Sequence, residues 1–471
     1  MSLAIVWFRR DLRLSDNPAF RAACAQHDQV LPGYIHAPEE EAPWLPGGAS
    51  RWWLHHSLAS LAKSLAAIQM PLHVCAGVSL DVLESLVVET QASAVYWNSL
   101  YEPQARRRDG EVAVALSQRG VGCCDFNASL WREPWETLNK AGSPYRVFTP
   151  FWHALEPELE KLSLTPSFRR VGGLRLDHGA PLKTLGLRPQ IQWDAGLART
   201  WKPGERGAQA CLDSFAEEAI LGYALNRDYP ALSSTSSLSP HLHFGEISPR
   251  QVVLGLRERL AEQGRFQADL TPFFRQLAWR EFAHHLLYHF PHTDTTSFNG
   301  TFEAFDWVSP DPKMLSRWKR GQTGIPLVDA GMRELWETGT MHNRVRMVVA
   351  SFLTKNLRYH WRHGAQWFWD TLVDADLANN SLGWQWVAGS GADAAPYFRI
   401  FNPVTQSQKF DPQGVYLGHW LPELKALPPA LRHEPWKDPN VHRQTGYPLP
   451  MVDLAQSRRS ALTAYQKLTS T

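Results

Sequence analysis

One segment of the chain, DADLANNSLGWQW, holds an unusually dense set of side chains that can bind a ligand. It contains two carboxylates, Asp374 and Asp376, together with two amides and two indoles. Residues two apart on a helix do not share a face, so Trp384 and Trp386 are predicted to contact different neighbours. Carboxylate, amide and indole groups together suit a large, flat ligand that is bound by stacking and by hydrogen bonds to its edges. A polar turn followed by a buried, Trp-rich helix explains the same composition equally well.

A loop rich in hydroxyl groups, TSSLS at 235–239, is followed by Pro240, and Ser248 is likewise followed by Pro249. Each Ser-Pro pair predicts a helix N-cap with proline in the first turn. Such a loop at a helix N-terminus binds phosphate oxygens through its backbone N–H groups and the helix dipole. The alternative is that both are ordinary capped turns.

A basic stretch between residues 341 and 369 contains no Asp or Glu. The formal net charge of the whole chain is only +2, which does not predict a nucleic-acid partner. A local basic face would nevertheless supply phosphate contacts, although a solvated helix surface is the alternative. The basic side chains of the stretch are Arg344, Arg346, Lys355, Arg358 and Arg362.

Short apolar segments that alternate with helical periods predict the fold of the N-terminal part. The predicted strands are 3–8, 30–36, 71–76, 94–98 and 122–126, and the clearest helices are 51–68 and 79–91. This alternation is typical of an α/β domain with a parallel, Rossmann-like sheet and right-handed crossovers. No GxGxxG or Walker loop follows the first strand, so a phosphate-binding Rossmann site is not indicated.

The organisation changes along the chain. We predict an α/β domain at 1–130, an interdomain connection at 131–206 and a larger all-helical domain at 207–471. Hydrophobic periodicity fades at 157–205, where prolines mix with glycines. The last ~35 residues, rich in Pro, Arg and Ser, are predicted to form a tail packed on the surface.

The totals exclude several classes of protein. The chain has 471 residues, of which 44% are hydrophobic, and no apolar run reaches the ~18 residues of a membrane span. The first strand is followed by Arg9, Arg10 and Asp11, unlike a signal peptide. Five cysteines form no CxxC pair, so no disulfide framework and no metal site is predicted. We expect a cytoplasmic monomer without membrane contact.

The segment 374–386 resembles the flavin-binding region of the photolyase/cryptochrome family, and further motifs follow in that family's order. The resemblance covers nearly the whole chain and is strongest to bacterial cyclobutane pyrimidine dimer photolyases of the class III, plant-cryptochrome-like group. It implies an α/β antenna-binding domain and a helical catalytic domain that binds flavin adenine dinucleotide (FAD). The matching motifs are WFRRDLRLSDN at 7–17, TSSLS at 235–239, QLAWREF at 276–282, TGIPLVDAGMREL at 323–335 and MHNRVRM at 341–347.

The resemblance assigns residues to the cofactor. Arg346 and Asp374 are expected to form an ion pair beside the isoalloxazine ring, and Asp376 to accept a hydrogen bond from its imide edge. Asn380 matches the residue that faces the reactive N5 atom, where plant cryptochromes carry an aspartate. An amide does not hand over a proton readily, so Asn380 favours a photolyase that works with anionic reduced flavin. The remaining FAD-binding positions are Tyr223, Thr235, Ser236, Ser237, Leu238, Ser239 and Arg280.

Three tryptophans, Trp384, Trp361 and Trp307, match the chain of indoles that carries an electron from the surface to the flavin in this family. The substrate implied by the resemblance is UV-damaged DNA, with Trp279 and Trp386 as stacking surfaces for a flipped pyrimidine pair. Lys409 and Arg399 add expected phosphate contacts. The complete set of matched DNA or substrate positions is Arg227, Gln276, Trp279, Asn343, Arg344, Met347, Trp386 and Arg399.

Two departures from the family pattern bear on the reaction. Gln276 stands where relatives that repair cyclobutane dimers commonly have glutamate; an amide still donates a hydrogen bond but cannot stabilise a positive centre. His342 is followed by Asn343, whereas repair of (6-4) photoproducts is associated with a histidine pair there. An amide has no proton to give near neutral pH, so cyclobutane dimers are the expected substrate.

Two alternatives remain open from the sequence. A cryptochrome-type blue-light receptor with little or no repair activity is the alternative to the repair enzyme, since Gln276 and the plant-like segments favour it. For the antenna, RWWLHHSL at 51–58 favours methenyltetrahydrofolate, with 8-hydroxy-deazaflavin as the alternative. Ala105 lies near the position where folate-binding relatives hold a glutamate, which weakens a direct transfer of that site.

Overall fold

The structure is a computed structural model that describes residues 2–265, 268–394 and 398–470. The chain divides into two compact units. The first takes in the chain up to Leu221, then Ser236–Pro291 and Val373–Ala375. The second takes in Gly222–Thr235, His292–Leu372 and the chain from Asp376 onward. The predicted bounds of 1–130, 131–206 and 207–471 stay predictions.

The first unit is built on a parallel sheet with strand order β3-β2-β1-β4-β5, and β6 pairs with the start of β2. All five predicted strands are confirmed, with ends that differ by at most two residues. The short β6 was not predicted, because two glycines carry no alternating pattern. The strands are β1 (Leu3–Phe8), β2 (Gln29–His36), β3 (His73–Ala76), β4 (Ala94–Asn98), β5 (Gly122–Phe126) and β6 (Gly172–Gly173).

The central strand β1 is buried on both faces because its side chains alternate between two hydrophobic cores. Leu3, Ile5 and Trp7 pack in one core with residues of the helices at 79–90 and 103–118. The even-numbered residues of β1 pack in the other core with residues of the helix at 48–67. This two-sided cover is typical of a parallel sheet in an α/β domain, the fold class that the sequence predicts.

Helices account for most of the remaining regular structure of the first unit and for all regular structure described in the second. The two predicted helices 51–68 and 79–91 correspond to α2 and α3. The helices up to residue 289 are α1 (Pro18–Gln26), α2 (Gly48–Ala67), α3 (Ser79–Thr90), α4 (Pro103–Gln118), α5 (Phe148–Leu155), α6 (Ala195–Thr200), α7 (Glu205–Ser214), α8 (Tyr223–Asn226), α9 (Ser239–His243), α10 (Pro249–Glu262) and α11 (Thr271–His289).

The second unit is all-helical over its described residues, as predicted. The remaining helices are α12 (Pro312–Lys319), α13 (Pro326–Thr338), α14 (Asn343–Ser351), α15 (Trp361–Thr371), α16 (Leu377–Ala388), α17 (Pro403–Phe410), α18 (Val415–Trp420), α19 (Pro429–His433), α20 (Pro439–Thr445) and α21 (Leu454–Ser470). Single-turn 3₁₀ segments join several of them, and two π-helical turns occur at Phe215–Ala219 and Phe352–Asn356.

The C-terminal segment contains a helix that the prediction of a surface tail did not include. Its last seventeen described residues form α21, whose Ala461 and Ala464 are buried against Phe302, Phe305 and Phe398. The other side chains of α21 are exposed or half-buried, so the segment is packed on the surface of the second unit, as predicted, in the form of a helix.

Candidate functional site

Helix α16 carries much of the segment that opened the sequence analysis, and both of its ends are fixed locally. The Asp376 side chain caps its N-terminus by accepting a hydrogen bond from the N–H of Asn379 at 2.8 Å. At the other end Gly389 takes the left-handed conformation, with φ of 89°, that a helix C-cap favours. Residues of the sequence itself, Asp376 and Gly389, therefore set the two ends of α16.

The two tryptophans of α16 contact different neighbours, as predicted. Trp384 lies against Gly364 of α15, where an added Cβ would approach its ring to 2.0 Å, and it makes an edge contact with Phe368. The indole N–H of Trp386 instead donates to the backbone carbonyl of Asp393 at 3.1 Å. Helix α16 thus carries one buried indole, Trp384, and one half-buried indole, Trp386.

Asn380 lies on α16 and is held by α15. Its Nδ2 donates to the carbonyl of Ala365 at 3.0 Å, and the side chain is buried. Neither orientation of an amide supplies an acidic proton near neutral pH. The position therefore offers hydrogen bonding and no proton transfer.

Trp307 and Trp361 both contact the ring of His360, which no sequence motif indicated. The His360 ring is 5.1 Å from the ring of Trp307 and 5.5 Å from that of Trp361. Trp361 is fully buried, whereas Trp307 is partly exposed and donates to the carbonyl of Phe302. Burial lowers the pKa of His360 below 6.5, so this ring is neutral at pH 7. The adjacency of His360 to Trp361 in the sequence was the available signal.

Arg346 and Tyr223 both lie in the second unit. Arg346 is hydrogen-bonded to its neighbours in the chain, and Tyr223 lies beside Arg227. Arg346 donates to the carbonyl of Met341 at 2.7 Å and to the hydroxyl of Thr340 at 3.2 Å. Burial raises the pKa of the Tyr223 phenol, and the Arg227 guanidinium opposes that shift. The expected pairing of Arg346 with Asp374 concerns residues of different units and stays a prediction.

The hydroxyl-rich loop has a distinctive backbone in the first unit. Ser237 is in the left-handed conformation at φ of 53°, and the N–H of Leu238 lies 3.4 Å from Ser236 Oγ. Ser248 is an N-cap, with the predicted proline after it and a capping box with Gln251. Ser239, by contrast, is the first residue of α9, and no side chain caps that helix. The predicted cap at Ser239 was wrong, and its exposed hydroxyl is not used as a helix cap.

Helix α11 carries three of the predicted site residues, Gln276, Trp279 and Arg280, within little more than one turn. Gln276 Nε2 donates to the carbonyl of Pro272 at 3.3 Å, and Arg280 Nη1 donates to that of Ser129 at 2.6 Å. Trp279 stacks face to face on Phe148, with ring centroids 3.8 Å apart. One face of Trp279 is therefore covered. Phe148 was missed because it lies 131 positions earlier and carries no local motif.

Next to Arg280, Glu281 is buried and accepts the N–H of Trp131 at 2.9 Å. Burial raises the pKa of Glu281 to about 8, although Arg280 and the backbone N–H groups oppose the shift. This carboxyl is therefore largely protonated at pH 7.

The basic stretch does not form the uniform basic face that its sequence suggested. Lys355 is 1% exposed, donates to the carbonyl of Ala388 and lies over the ring of Phe398. Burial lowers the pKa of Lys355 well below its ordinary value, so this side chain cannot serve a phosphate-binding surface.

Two arginines of the stretch are paired with acids that lie far away in the sequence. Arg344 Nη2 is 2.7 Å from Asp228 Oδ2, and its guanidinium covers the ring of Phe410. Arg358 Nη1 is 2.8 Å from an oxygen of Asp306. The local excess of positive charge is thus partly neutralised by the fold.

Other predicted substrate residues of the second unit lie at its surface. Asn343, the first residue of α14, is exposed, and Met347 lies one turn later with its Sδ 4.0 Å from Asn343 Nδ2. Arg399 and Lys409 are exposed as well. These side chains are accessible to a partner, as a DNA-binding role requires.

The carboxyl ends of β1 and β4 form the switch point of the sheet, where ligands bind in open α/β folds. Here this edge carries paired charges: Arg9 Nη1 lies 2.8 Å from Asp109 Oδ2, and Arg10 Nη2 lies 2.6 Å from Glu102 Oε2. Ala105 is buried on α4. Among the described residues no helix is long and apolar enough to cross a membrane, and no cluster of three or more His, Cys, Asp or Glu suits a metal ion.

Comparison with known proteins identifies relatives over the whole chain. Residues 4–168 match the family described as DNA photolyase, and residues 273–467 match the FAD binding domain of DNA photolyase. A deoxyribodipyrimidine photo-lyase of Agrobacterium fabrum is 44% identical over 99% of this chain and 98% of its own. Cryptochrome-2 of Arabidopsis thaliana is 39% identical over 96% of this chain and 77% of its own. The crystal structure of a class III photolyase from Agrobacterium tumefaciens superposes with a TM-score of 0.94 at 43% identity, covering 100% of this chain and 98% of the other.

Proposed function

The chain belongs to the photolyase/cryptochrome family, and on this premise we propose that it is a deoxyribodipyrimidine photolyase that splits cyclobutane pyrimidine dimers in UV-damaged DNA. The observation that carries this proposal is the match, along almost the full length of both chains, to a deoxyribodipyrimidine photo-lyase. A full-length match includes the segments expected to bind cofactor and substrate as well as the scaffold.

The side chains present fit FAD. Ser236, Ser239 and the Arg280 guanidinium offer hydroxyl and charged donors for a diphosphate. In the second unit, Asn380 offers a buried, oriented amide for the edge of a flavin ring. We assign the same cofactor to the other positions that match the family: Tyr223, Thr235, Ser237, Leu238, Arg346, Asp374 and Asp376.

When bound, FAD would supply the absorption of light and the electron that opens the cyclobutane ring. The protein contributes positioning and electron supply. We propose that Trp307, Trp361 and Trp384 pass an electron inward from the surface, with the partly exposed Trp307 as the outer member. His360 packs against the outer and middle indoles, and its neutral ring adds no positive charge beside them.

For the substrate, we propose that Trp279 stacks on an extruded pyrimidine with the face that Phe148 leaves open. Gln276 and Asn343 would hold the pyrimidine edges by hydrogen bonds, and Met347 and Trp386 would add apolar contact. Arg227, Arg344 and Arg399 would contact phosphates of the DNA.

Asn343 sets the choice of lesion. Opening a cyclobutane ring needs an electron delivered and returned, whereas (6-4) repair needs an acid at the position of Asn343. The test is blue-light exposure of two oligonucleotides, one with each lesion, followed by chromatography. We expect restoration of the cyclobutane dimer and no change in the (6-4) lesion. Restored (6-4) substrate with an untouched cyclobutane dimer would overturn the proposal.

A blue-light receptor is the second candidate, and the 39% identity to Cryptochrome-2 over 96% of the chain favours it. The same assay separates the two functions. A chain that binds FAD, is photoreduced and leaves both lesions intact is a receptor. Asn380 favours the enzyme because it differs from the aspartate of the plant receptors.

We also propose methenyltetrahydrofolate as an antenna in the first unit, with 8-hydroxy-deazaflavin as the alternative. An absorption spectrum of the purified protein tests this, because a folate adds a near-ultraviolet band to those of the flavin. Extraction and mass spectrometry of the released chromophore then identify it. The monomeric state and the cytoplasmic location stay predictions.

A further inference from the structure

The first unit contains a thiol, an imidazole and a carboxylate joined by hydrogen bonds, and none of the three is among the residues assigned above to DNA or to electron supply. Cys211 Sγ lies 3.7 Å from His241 Nε2, and the other ring nitrogen of His241, Nδ1, is hydrogen-bonded to Glu246 Oε2. The second carboxylate oxygen of Glu246 accepts the indole N–H of Trp53 at 3.1 Å. Four elements or loops of one unit thus converge on a single chain of hydrogen bonds.

The His241 imidazole is buried and closely packed. His241 and Glu246 are both 0% exposed, and the Trp53 ring makes an edge contact with the His241 ring at 5.0 Å. Gly207 lets α7 lie close to the carbonyl of Lys202 and to the His241 ring. A Cβ at this position would be 1.7 Å from that carbonyl oxygen and 3.3 Å from His241 Cε1. Cys211 alone of the three is partly exposed.

The hydrogen bonds define the chemistry of the thiol. Because the carboxylate of Glu246 accepts a hydrogen bond from Nδ1–H of His241, the other ring nitrogen, Nε2, faces the thiol and can accept the Sγ proton. Burial alone would lower the pKa of His241, but the hydrogen bonds to Cys211 and Glu246 outweigh it and raise the pKa to about 9. An imidazolium beside sulfur stabilises the thiolate, which is the nucleophilic form of cysteine.

We propose that Cys211 is a thiolate nucleophile, activated by His241 and Glu246, that reacts with hydroperoxides. The thiolate sulfur attacks the terminal peroxide oxygen, so that an S–O bond forms and the O–O bond breaks. Sulfur is oxidised by two electrons to the sulfenic acid, the peroxide is reduced, and the leaving alkoxide or hydroxide takes its proton from the His241 imidazolium. None of the five cysteines is in a disulfide. An external thiol would reduce the sulfenic acid of Cys211 back to the thiol.

The other cysteines supply an internal control. Cys75 is also partly exposed, and burial raises its pKa, as does the nearby Glu89 carboxylate. An ordinary thiol loses about 100-fold or more of its thiolate between pH 8.5 and pH 6. The surroundings of Cys211 differ from those of Cys75, because His241 Nε2 lies 3.7 Å from the Cys211 sulfur.

The first experiment follows iodoacetamide alkylation of the FAD-containing protein between pH 6 and 8.5, resolved by site with mass spectrometry. Between pH 8.5 and pH 6 we expect the rate at Cys75 to fall by about 100-fold or more and the rate at Cys211 to fall much less. His241→Gln should make the Cys211 profile as steep as that of Cys75. If that variant does not fold, the two profiles in the unaltered protein decide. An equally steep profile at Cys211 would overturn the proposal, as would a flat profile that His241→Gln leaves unchanged.

The second experiment treats the same protein with hydrogen peroxide at pH 7 and captures sulfenic acid with dimedone. We expect label at Cys211 at least about 10-fold faster than at Cys75, and no label at position 211 in Cys211→Ser. Equal labelling of Cys211 and Cys75 would contradict peroxide specificity. Neither result depends on DNA repair, so this proposal and the proposed function can fail separately.

Discussion

The orientation of Trp384 depends on the absence of a side chain at residue 364. A Cβ there would overlap the indole, so Gly364 lets α15 and α16 approach until the ring is enclosed. The same closeness explains why Trp384 is buried although it lies on a helix with polar residues. Gly364 does not have a positive φ, so close packing against Trp384, and not backbone conformation, is the reason that this position requires glycine.

Replacing Trp384 with phenylalanine should suppress light-driven reduction of the flavin by external donors, because phenylalanine is not oxidised by the excited cofactor. Repair that starts from chemically reduced enzyme should survive, since it needs no electron from the surface. Absorption spectra during illumination measure the first, and dimer repair measures the second. Trp369→Phe, on the same helix as Trp361, is the matched control and should be photoreduced normally. Normal photoreduction of Trp384→Phe would show that another route dominates.

A second residue-scale prediction concerns Glu281. Its folded pKa, about 8, lies above the ordinary 4.5, so the unfolded chain ionises first and stability is lost as pH rises from 4.5 to 8. The loss is on the order of 2 to 4 kcal/mol by linkage. Glu281→Gln cannot ionise, so its melting temperature relative to the unaltered protein should rise between pH 5 and pH 8.5.

Any change in stability that the amide itself causes in the Glu281→Gln variant is the same at every pH. It therefore does not affect how the difference in melting temperature between the two proteins varies with pH. Glu262→Gln, an exposed change at the end of α10, is the control and should show no such trend. A difference that does not vary with pH would mean that Glu281 is ionised in the folded protein.

At the scale of elements, the loop before α9 combines exposed or half-buried hydroxyls with a left-handed residue. Ser239 is not used as a helix cap, which leaves its hydroxyl for a ligand. Ser248, by contrast, is fully buried and is used by the fold itself, through a capping box and a hydrogen bond to Asp16. Two similar Ser-Pro pairs therefore have different roles.

Replacing Ser236 and Ser239 with leucine should release FAD during purification, because the hydroxyl donors are lost and the loop is blocked. The ratio of flavin to protein absorbance measures retention, and we expect it to fall at least about 10-fold, equivalent to ~1.4 kcal/mol. The control is Ser99→Leu, a half-buried loop residue that follows β4. Unchanged flavin content in the double variant would exclude this loop as the phosphate site.

At the scale of the whole molecule, ion pairs within the second unit reduce the positive charge of the proposed DNA-binding surface. Arg344→Ala should lower affinity for dimer-containing DNA and reduce the slope of log affinity against log salt by about one unit. Lys355→Met should leave that slope unchanged, because the ammonium group is buried against Phe398. Fluorescence anisotropy at several salt concentrations measures both, and flavin content confirms folding. A reduced slope in Lys355→Met would contradict its buried position.

The sequence by itself determined the fold class, the five central strands and the family. Strands such as β1 were predictable because a strand buried on both faces leaves a continuous apolar run, and the end of α16 because its capping glycine is local. Family motifs also named the site residues, whose individual roles remain proposals.

Only the tertiary structure decided which of those residues are accessible and which have partners. Asp228 and Asp306 pair with arginines more than fifty positions away, and Phe148 stacks on Trp279 across 131 positions. Likewise, Cys211, His241 and Glu246 form one hydrogen-bonded line that no spacing rule predicts. Charge runs and periodicity report the local chain, whereas burial, ion pairing and pKa depend on neighbours supplied by distant segments.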